Sequence, residues 1–274
     1  MPDLKQIARN WLPYNVRVEI ARAKHTPKRA LQNWNAARQK GHRAVFPYLL
    51  DQRCSPIYRQ LEADDDLARA KKQNVATAAA RVHLIRIAPN QVFSFHALVG
   101  RPSRLRGFLR GRELHDEKMT NGVGGGMCKL SNALFQVALK GGMKIIERHR
   151  HSLDLYPDNN RQVPFGLGAT VAFNYANLRF QNPLPYPVLV IAEIVEKQLQ
   201  VELRTTIDPG WRVEVYEKNH RFFKKGETWW RKNEIRRRFT WPDNELLKDE
   251  LVAENKARLL YTPRLELPPI AEGE

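Results

Sequence analysis

The sequence predicts an α+β protein: a mainly antiparallel sheet with a helix after a Gly-rich turn, plus N-terminal helices. Three observations carry that reading. Apolar and polar residues alternate through much of residues 143–233, the two-residue period of half-buried strands. A helical period is confined to bounded stretches, the longest of them near the N-terminus. Four glycines crowd residues 122–126, directly ahead of Cys128 and an amphipathic run, which places a helix immediately behind a flexible turn.

Taken in order, residues 1–70 read as an N-terminal helical region. Within it, Ser55 is expected to cap one helix, with Pro56 in its first turn, and the Asp64-Asp65-Asp66 run to open a second. After the turn at Pro89-Asn90, Val92, Ser94 and His96 alternate with Phe93, Phe95 and Ala97, as in a strand. Residues 103–120 read as basic loop. Leu130, Leu134, Val137 and Ala138 then share one helical face, and Gly141-Gly142 stop that helix. From residue 143 the chain reads as strand, with Glu147, His149 and His151 on one face and Ile146, Arg148 and Arg150 on the other. Several hairpin strands follow, and residues 243–261 read as a C-terminal helix before a Pro-rich tail. The expected division is therefore 1–70, a central domain over 71–206, and a basic strand-rich extension over 207–274.

At 274 residues, 42% hydrophobic and 27% charged, the chain has ordinary globular composition. Its 46 Lys and Arg against 29 Asp and Glu give +17, which favours nucleic acid, anionic lipid or anionic wall polymer as neighbours. No apolar h-region of an export signal opens the sequence, and the most apolar stretch, residues 186–195, is too short to cross a bilayer. A cytoplasmic location is expected, with room for a peripheral place at a membrane. Cys54 and Cys128 make no disulfide framework and are expected as free thiols.

Cys128 is the residue on which the chemistry turns. A thiolate at a helix N-terminus is favoured by unpaired N–H groups and the positive end of the dipole. Gly124, Gly125 and Gly126 allow positive φ and close approach of a substrate, and their amides could serve an oxyanion. A cysteine nucleophile also needs an imidazole. His149 and His151 follow on the next strand, and Glu147 or Asp154 could orient a ring. Alternatives stand beside this: a small buried cysteine with half-exposed polar histidines, or a Cys-His-His metal site, which no CxxC spacing supports. Neither the Walker nor the dinucleotide pattern is present, so no cofactor and no metal is expected. Cys54 reads as structural.

These residues carry a resemblance to the VanW family. "PNQVFSFHALVG" is similar to its P-G-E-x-F-S-F-N-x-x-x-G element, and "GGGMCKLSNALFQVALKGGMKIIERHRHS" to its glycine, cysteine and E-R-x-x-H-S elements. "GATV" and "NLRFQN" resemble D-A-T-V and D-L-x-F-x-N. The resemblance implies a Cys-dependent acyl transferase, L,D-transpeptidase-like, acting on wall peptide stems. Carried over, Cys128 is the nucleophile, His151 the base with His149 beside it, and Arg148 a ligand for a substrate carboxylate. Ser131, in the same matched segment, joins the glycines as a substrate-binding residue. Lys129 and Gly168 depart from the family's usual glutamine and aspartate.

Two functions are expected to compete. The first is acyl transfer on a peptidoglycan precursor or peptide stem. The second is a non-catalytic accessory protein whose basic faces, such as "RPSRLRGFLRGR" and "WWRKNEIRRRF", bind an anionic envelope precursor or membrane surface. Nucleic acid is the less favoured partner, because the same segments read as solvated loop and charged strand edge.

Overall fold

The computed structural model describes residues 14–58, 66–115, 118–150, 153–154, 157, 163–263 and 270–271. The helices are α1 (Tyr14–Gln32), α2 (Asp66–Val82), the short α3 (Phe95–Val99) and α4 (Cys128–Lys140). The first sheet holds β1 (Tyr48–Pro56), β10 (Gln198–Thr205), β9 (Val188–Val195) and β2 (Ile85–Ile87), in that order. A second, three-stranded sheet is β3 (Val92–Ser94), β8 (Arg179–Gln181) and β6 (Lys144–Glu147). Long strands β11 (Arg212–Lys225), β12 (Thr228–Thr240) and β13 (Leu246–Leu259) form a third sheet, flanked by β14 (Ile270–Ala271) and β7 (Leu153–Asp154). A hairpin, β4 (Arg110–His115) with β5 (Lys118–Val123), stands apart.

The α+β class is as read, and among the described strands the pairing is antiparallel except for β14 on β11 and β7 on β13; an isolated parallel bridge joins Ala36 to Val92. Four local expectations are overturned. Phe95, His96 and Ala97 enter the short α3, capped by Ser94, instead of continuing the strand that starts at Val92. Residues 48–56 are a strand within the expected helical region, pairing along β10 with a bulge between Leu49 and Asp51, so Ser55 and Pro56 end a strand where they were expected to open a helix; residues 59–65, into which that helix would run, lie outside the described residues. The pairing of β1 with β10 crosses the boundary expected near residue 70. Residues 110–123 form a hairpin instead of a loop. Residues 246–259 are a strand paired with β12 rather than a helix; tertiary pairing overrides the helical propensity of its Leu, Glu and Lys residues.

The α4 helix begins at Cys128 and is packed on more than the one face its sequence marks. Leu130, Leu134, Val137 and Ala138 are buried, and so are Ala133, Phe135 and Leu139. Sheets on both sides account for this, since α4 touches β1 and β10 and also β11. Its C-terminal end is met by Arg237 of β12, whose Nη1 donates to the Leu139 and Met143 carbonyls at 2.9 Å each. A cation there satisfies orphan carbonyls and opposes the negative end of the dipole. Burial of this cluster supplies the core, at roughly 25 cal/mol per Å² of apolar surface.

Candidate active site around Cys128

Two of the glycines ahead of Cys128 adopt a backbone that other residues rarely tolerate: Gly124 has φ +91° and Gly126 φ +94°. Gly125 is required for a different reason. A Cβ there would collide with the backbone carbonyl of Gly111, and one on Gly111 would stand 2.9 Å from the Gly125 carbonyl oxygen. The turn is thus pressed against β4, backbone to backbone. Asn74 of α2 fastens the contact: its amide donates to the Gly125 and Leu109 carbonyls at 2.9 and 3.0 Å, and its Oδ1 accepts from Leu109 N–H at 2.7 Å. Asn74 is fully buried, so the pairing is obligatory.

This geometry sorts the expected oxyanion donors. Gly124 N–H donates to Leu109 O at 2.9 Å and Gly125 N–H to Gly122 O at 3.1 Å. Both amides are committed to the turn. Among the described residues, Gly126 N–H and Cys128 N–H have no backbone acceptor.

Cys128 keeps partial contact with solvent, yet its thiol lies above the ordinary thiol range. Burial is the first cause and the Glu113 carboxylate adds to it, while the Val171 N–H and the residue's own N–H work the other way. The thiol is therefore held protonated at rest. Glu113 lies on β4, in a segment whose sequence reads as basic loop, so it is absent from the expected site residues. Hairpin periodicity in residues 110–123 was the available clue.

Ser131 and Arg148 turn out to support the site rather than line it. Ser131 is buried, and its hydroxyl donates to Ala169 O at 2.6 Å and Cys128 O at 3.3 Å. That ties α4 to residues 169–171, which bring the Val171 amide to the sulfur. Arg148 gives Nε to Gly168 O at 2.8 Å, Nη1 to Asn255 Oδ1 at 2.9 Å and Nη2 to Gly166 O. Its guanidinium also lies over the Phe135 ring, 5.1 Å from the centroid. With every nitrogen engaged, it is a clamp and not a free carboxylate ligand. Where the family has its usual aspartate, Gly168 stands close to Asn132, whose Oδ1 accepts from Ala169 N–H at 2.7 Å.

Among the described residues, the hydrogen bonds of His149 go to groups other than the thiol. Its carbonyl accepts from Thr170 N–H at 2.8 Å, whereas the next amide, Val171, serves Cys128. Successive amides of an extended chain point to opposite edges, so Cys128 and the His149 backbone flank residues 169–171. The His149 Nε2 lies 2.9 Å from Glu147 Oε1, which bears out Glu147 as the carboxylate beside that ring. Glu147 is in turn held by Arg29 of α1 at 2.6 Å and by Asn177 N–H at 3.2 Å. Burial alone would raise the Glu147 carboxyl, but these hydrogen bonds and the one from His149 win and hold it below its usual value. Asp154, further along the chain beyond His149, is paired with Arg231 at 2.8 Å and accepts from the Tyr261 hydroxyl at 2.9 Å. His151 lies outside the described residues. Among those described, no three His, Cys, Asp or Glu side chains converge in a way that could hold a metal ion.

The comparisons with known proteins bear on this arrangement. Residues 70–204 match the family described as VanW like protein. The chain belongs to the VanW family. The matched VanW segment contains Asn74, Glu113, the glycine turn, Cys128 and Val171. Two relatives are similar over about half of this chain. One is Vancomycin B-type resistance protein VanW of Enterococcus faecalis, 31% identical over 139 residues, 50% of each chain. The other is the uncharacterized protein YoaR of Bacillus subtilis, 30% identical over 125 residues, 46% of this chain and 40% of that one. The chain thus spans half or less of the curated relatives it matches. No solved structure matches it.

Proposed function

We propose that the VanW domain is a Cys-dependent acyl transferase of L,D-transpeptidase type, acting on peptide stems of wall precursors. The observation that carries this reading is the convergence on one half-buried cysteine of a helix start, the Val171 amide and a turn whose Gly126 and Cys128 N–H groups have no backbone acceptor among the described residues. The Cys128 sulfur attacks a stem carbonyl, Gly126 and Cys128 N–H groups receive the developing oxyanion, and collapse of the tetrahedral intermediate breaks the C–N bond, expels D-alanine and leaves the stem as a thioester on Cys128. Because the resting thiol is protonated, a base must take its proton in the complex. His151, which matches the family motif, is assigned that role, and the Glu147–His149 pair supports the strand before it.

The test is an incubation of the whole chain with tetrapeptide muropeptides, read by mass spectrometry. An acyl adduct on Cys128 that disappears in Cys128→Ala supports the reading, and an unmodified wild-type Cys128 under conditions that alkylate it freely refutes it.

One feature favours a second reading, a non-catalytic accessory protein on an anionic surface. Arg221, Lys232 and Lys256 stand in a single cross-strand row of β11, β12 and β13. Lys232 and Lys256 pack over Phe223, and Lys256 also over Trp230. Binding to anionic vesicles that weakens steeply with salt and is indifferent to Cys128→Ala would favour this alternative.

A further inference from the structure

An acyl-enzyme can give its acyl group to water or to an amine, and something beside the thioester must decide between them. We propose that Glu113 is the residue that receives the acceptor amine, making the site a transferase rather than a hydrolase. This rests on the reading of Cys128 as nucleophile.

The hairpin carries the argument. Gly111 of β4 and Gly122 of β5 are cross-strand partners, and the Gly111 and Arg112 carbonyls abut Gly125, three residues before the thiol. The next residue, Glu113, lays its carboxylate on Gly122, so close that a Cβ there would collide with it. Glu113 is exposed, and among the described residues no hydrogen bond or ion pair engages its carboxylate. Its negative charge also reaches the Cys128 sulfur. An exposed carboxylate lying on Gly122, beside the turn that delivers the thiol, suits a primary ammonium group.

The step balances without a further reagent. The ammonium docks on Glu113 and yields one proton to the carboxylate, and the free amine attacks the thioester carbonyl. A C–N bond forms, the C–S bond breaks and sulfur leaves as thiolate. The amine's second proton and the one held by Glu113 then return, one restoring the thiol and the other passing to solvent. In the free protein the same negative charge adds to burial in raising the thiol above its ordinary range.

The experiment uses the full chain with Cys54→Ser, which leaves Cys128 as its sole thiol. Cys128 is first modified with a cationic aminoethyl and a neutral methyl methanethiosulfonate. Glu113→Gln should lower the cationic-to-neutral rate ratio about fivefold, as loss of one nearby charge requires, and Glu113→Asp should keep most of it. The same proteins are then acylated with a tetrapeptide stem and partitioned between a stem amine and water. The amine-to-water ratio should fall at least tenfold in Glu113→Gln while acylation of Cys128 persists. An unchanged ratio in an acylating Glu113→Gln protein overturns this role of Glu113 and leaves the acyl-transfer reading standing. Absence of any acyl-enzyme in the parent protein overturns both, whatever the reagent ratio shows.

Discussion

On one edge of residues 169–171 the Val171 amide serves a thiol; on the other the Thr170 amide serves the carbonyl of His149. The two edges are built by different means. The thiol edge is held by glycine backbone pressed on glycine backbone and by one buried asparagine, all within the VanW segment. The histidine edge is held by charged and amide side chains from outside that segment: Arg29 on Glu147, Asn255 on Arg148, and Arg231 on Asp154. Shape fixes the nucleophile, and long polar side chains from both ends of the chain fix the strand that follows it.

The comparison breaks most readily on the histidine edge. Arg231 and Asp154 form a buried pair, exposed only 2% and 8% at their side chains. Arg231→Met strands a buried carboxylate and should cost about 3–5 kcal/mol, read as a lower denaturant midpoint. On the thiol edge, Gly125→Ala should cost about 3 kcal/mol, because the colliding atom is a backbone carbonyl that cannot swing aside. It should also slow alkylation of Cys128. Asn74→Ala leaves the Gly125 carbonyl and the Leu109 N–H without their partner, while Leu109 O keeps the Gly124 N–H, and is expected to cost about 2 kcal/mol. If Asn74→Ala proved neutral while alkylation of Cys128 stayed normal, the thiol edge would not depend on side-chain clamping at all.

Smaller effects sharpen the contrast through pH. Glu147 is held below its ordinary value of 4.5, so its contribution is present above that pH and is lost as pH falls through the folded value. Arg29→Met should cost about 1–2 kcal/mol at pH 7, and the loss should shrink in acid. Asp51, beside the bulge of β1, runs the other way. Burial raises its carboxyl from 3.8 to about 6, against Lys140. A raised carboxyl favours the fold below 3.8 and penalises it increasingly as pH rises through about 6. Asp51→Asn should therefore stabilise the protein by about 1 kcal/mol at pH 7, after allowance for solvent screening, and leave it unchanged near pH 3. Parallel urea titrations at the two pH values check both.

What the sequence disclosed follows the same division. The α4 helix and the turn before Cys128 were legible because glycine and helical periodicity are local properties. Ser131 and Arg148 were legible as residues that matter near the thiol, but not as supports, since their partners at Ala169 and Asn255 are remote in sequence. Residues 246–259 misled because their composition suits a helix, and only β12 beside them makes a strand. Glu113 stayed hidden inside a hairpin taken for a loop, and Arg29 lies 118 residues from Glu147.

The account stands on Cys128 as an acyl acceptor, and intact-mass spectrometry of the full chain with a tetrapeptide stem addresses it most directly. The predicted result is a single acyl adduct mapped to Cys128, absent from Cys128→Ala. Stem turnover that continues undiminished in Cys128→Ala would contradict it.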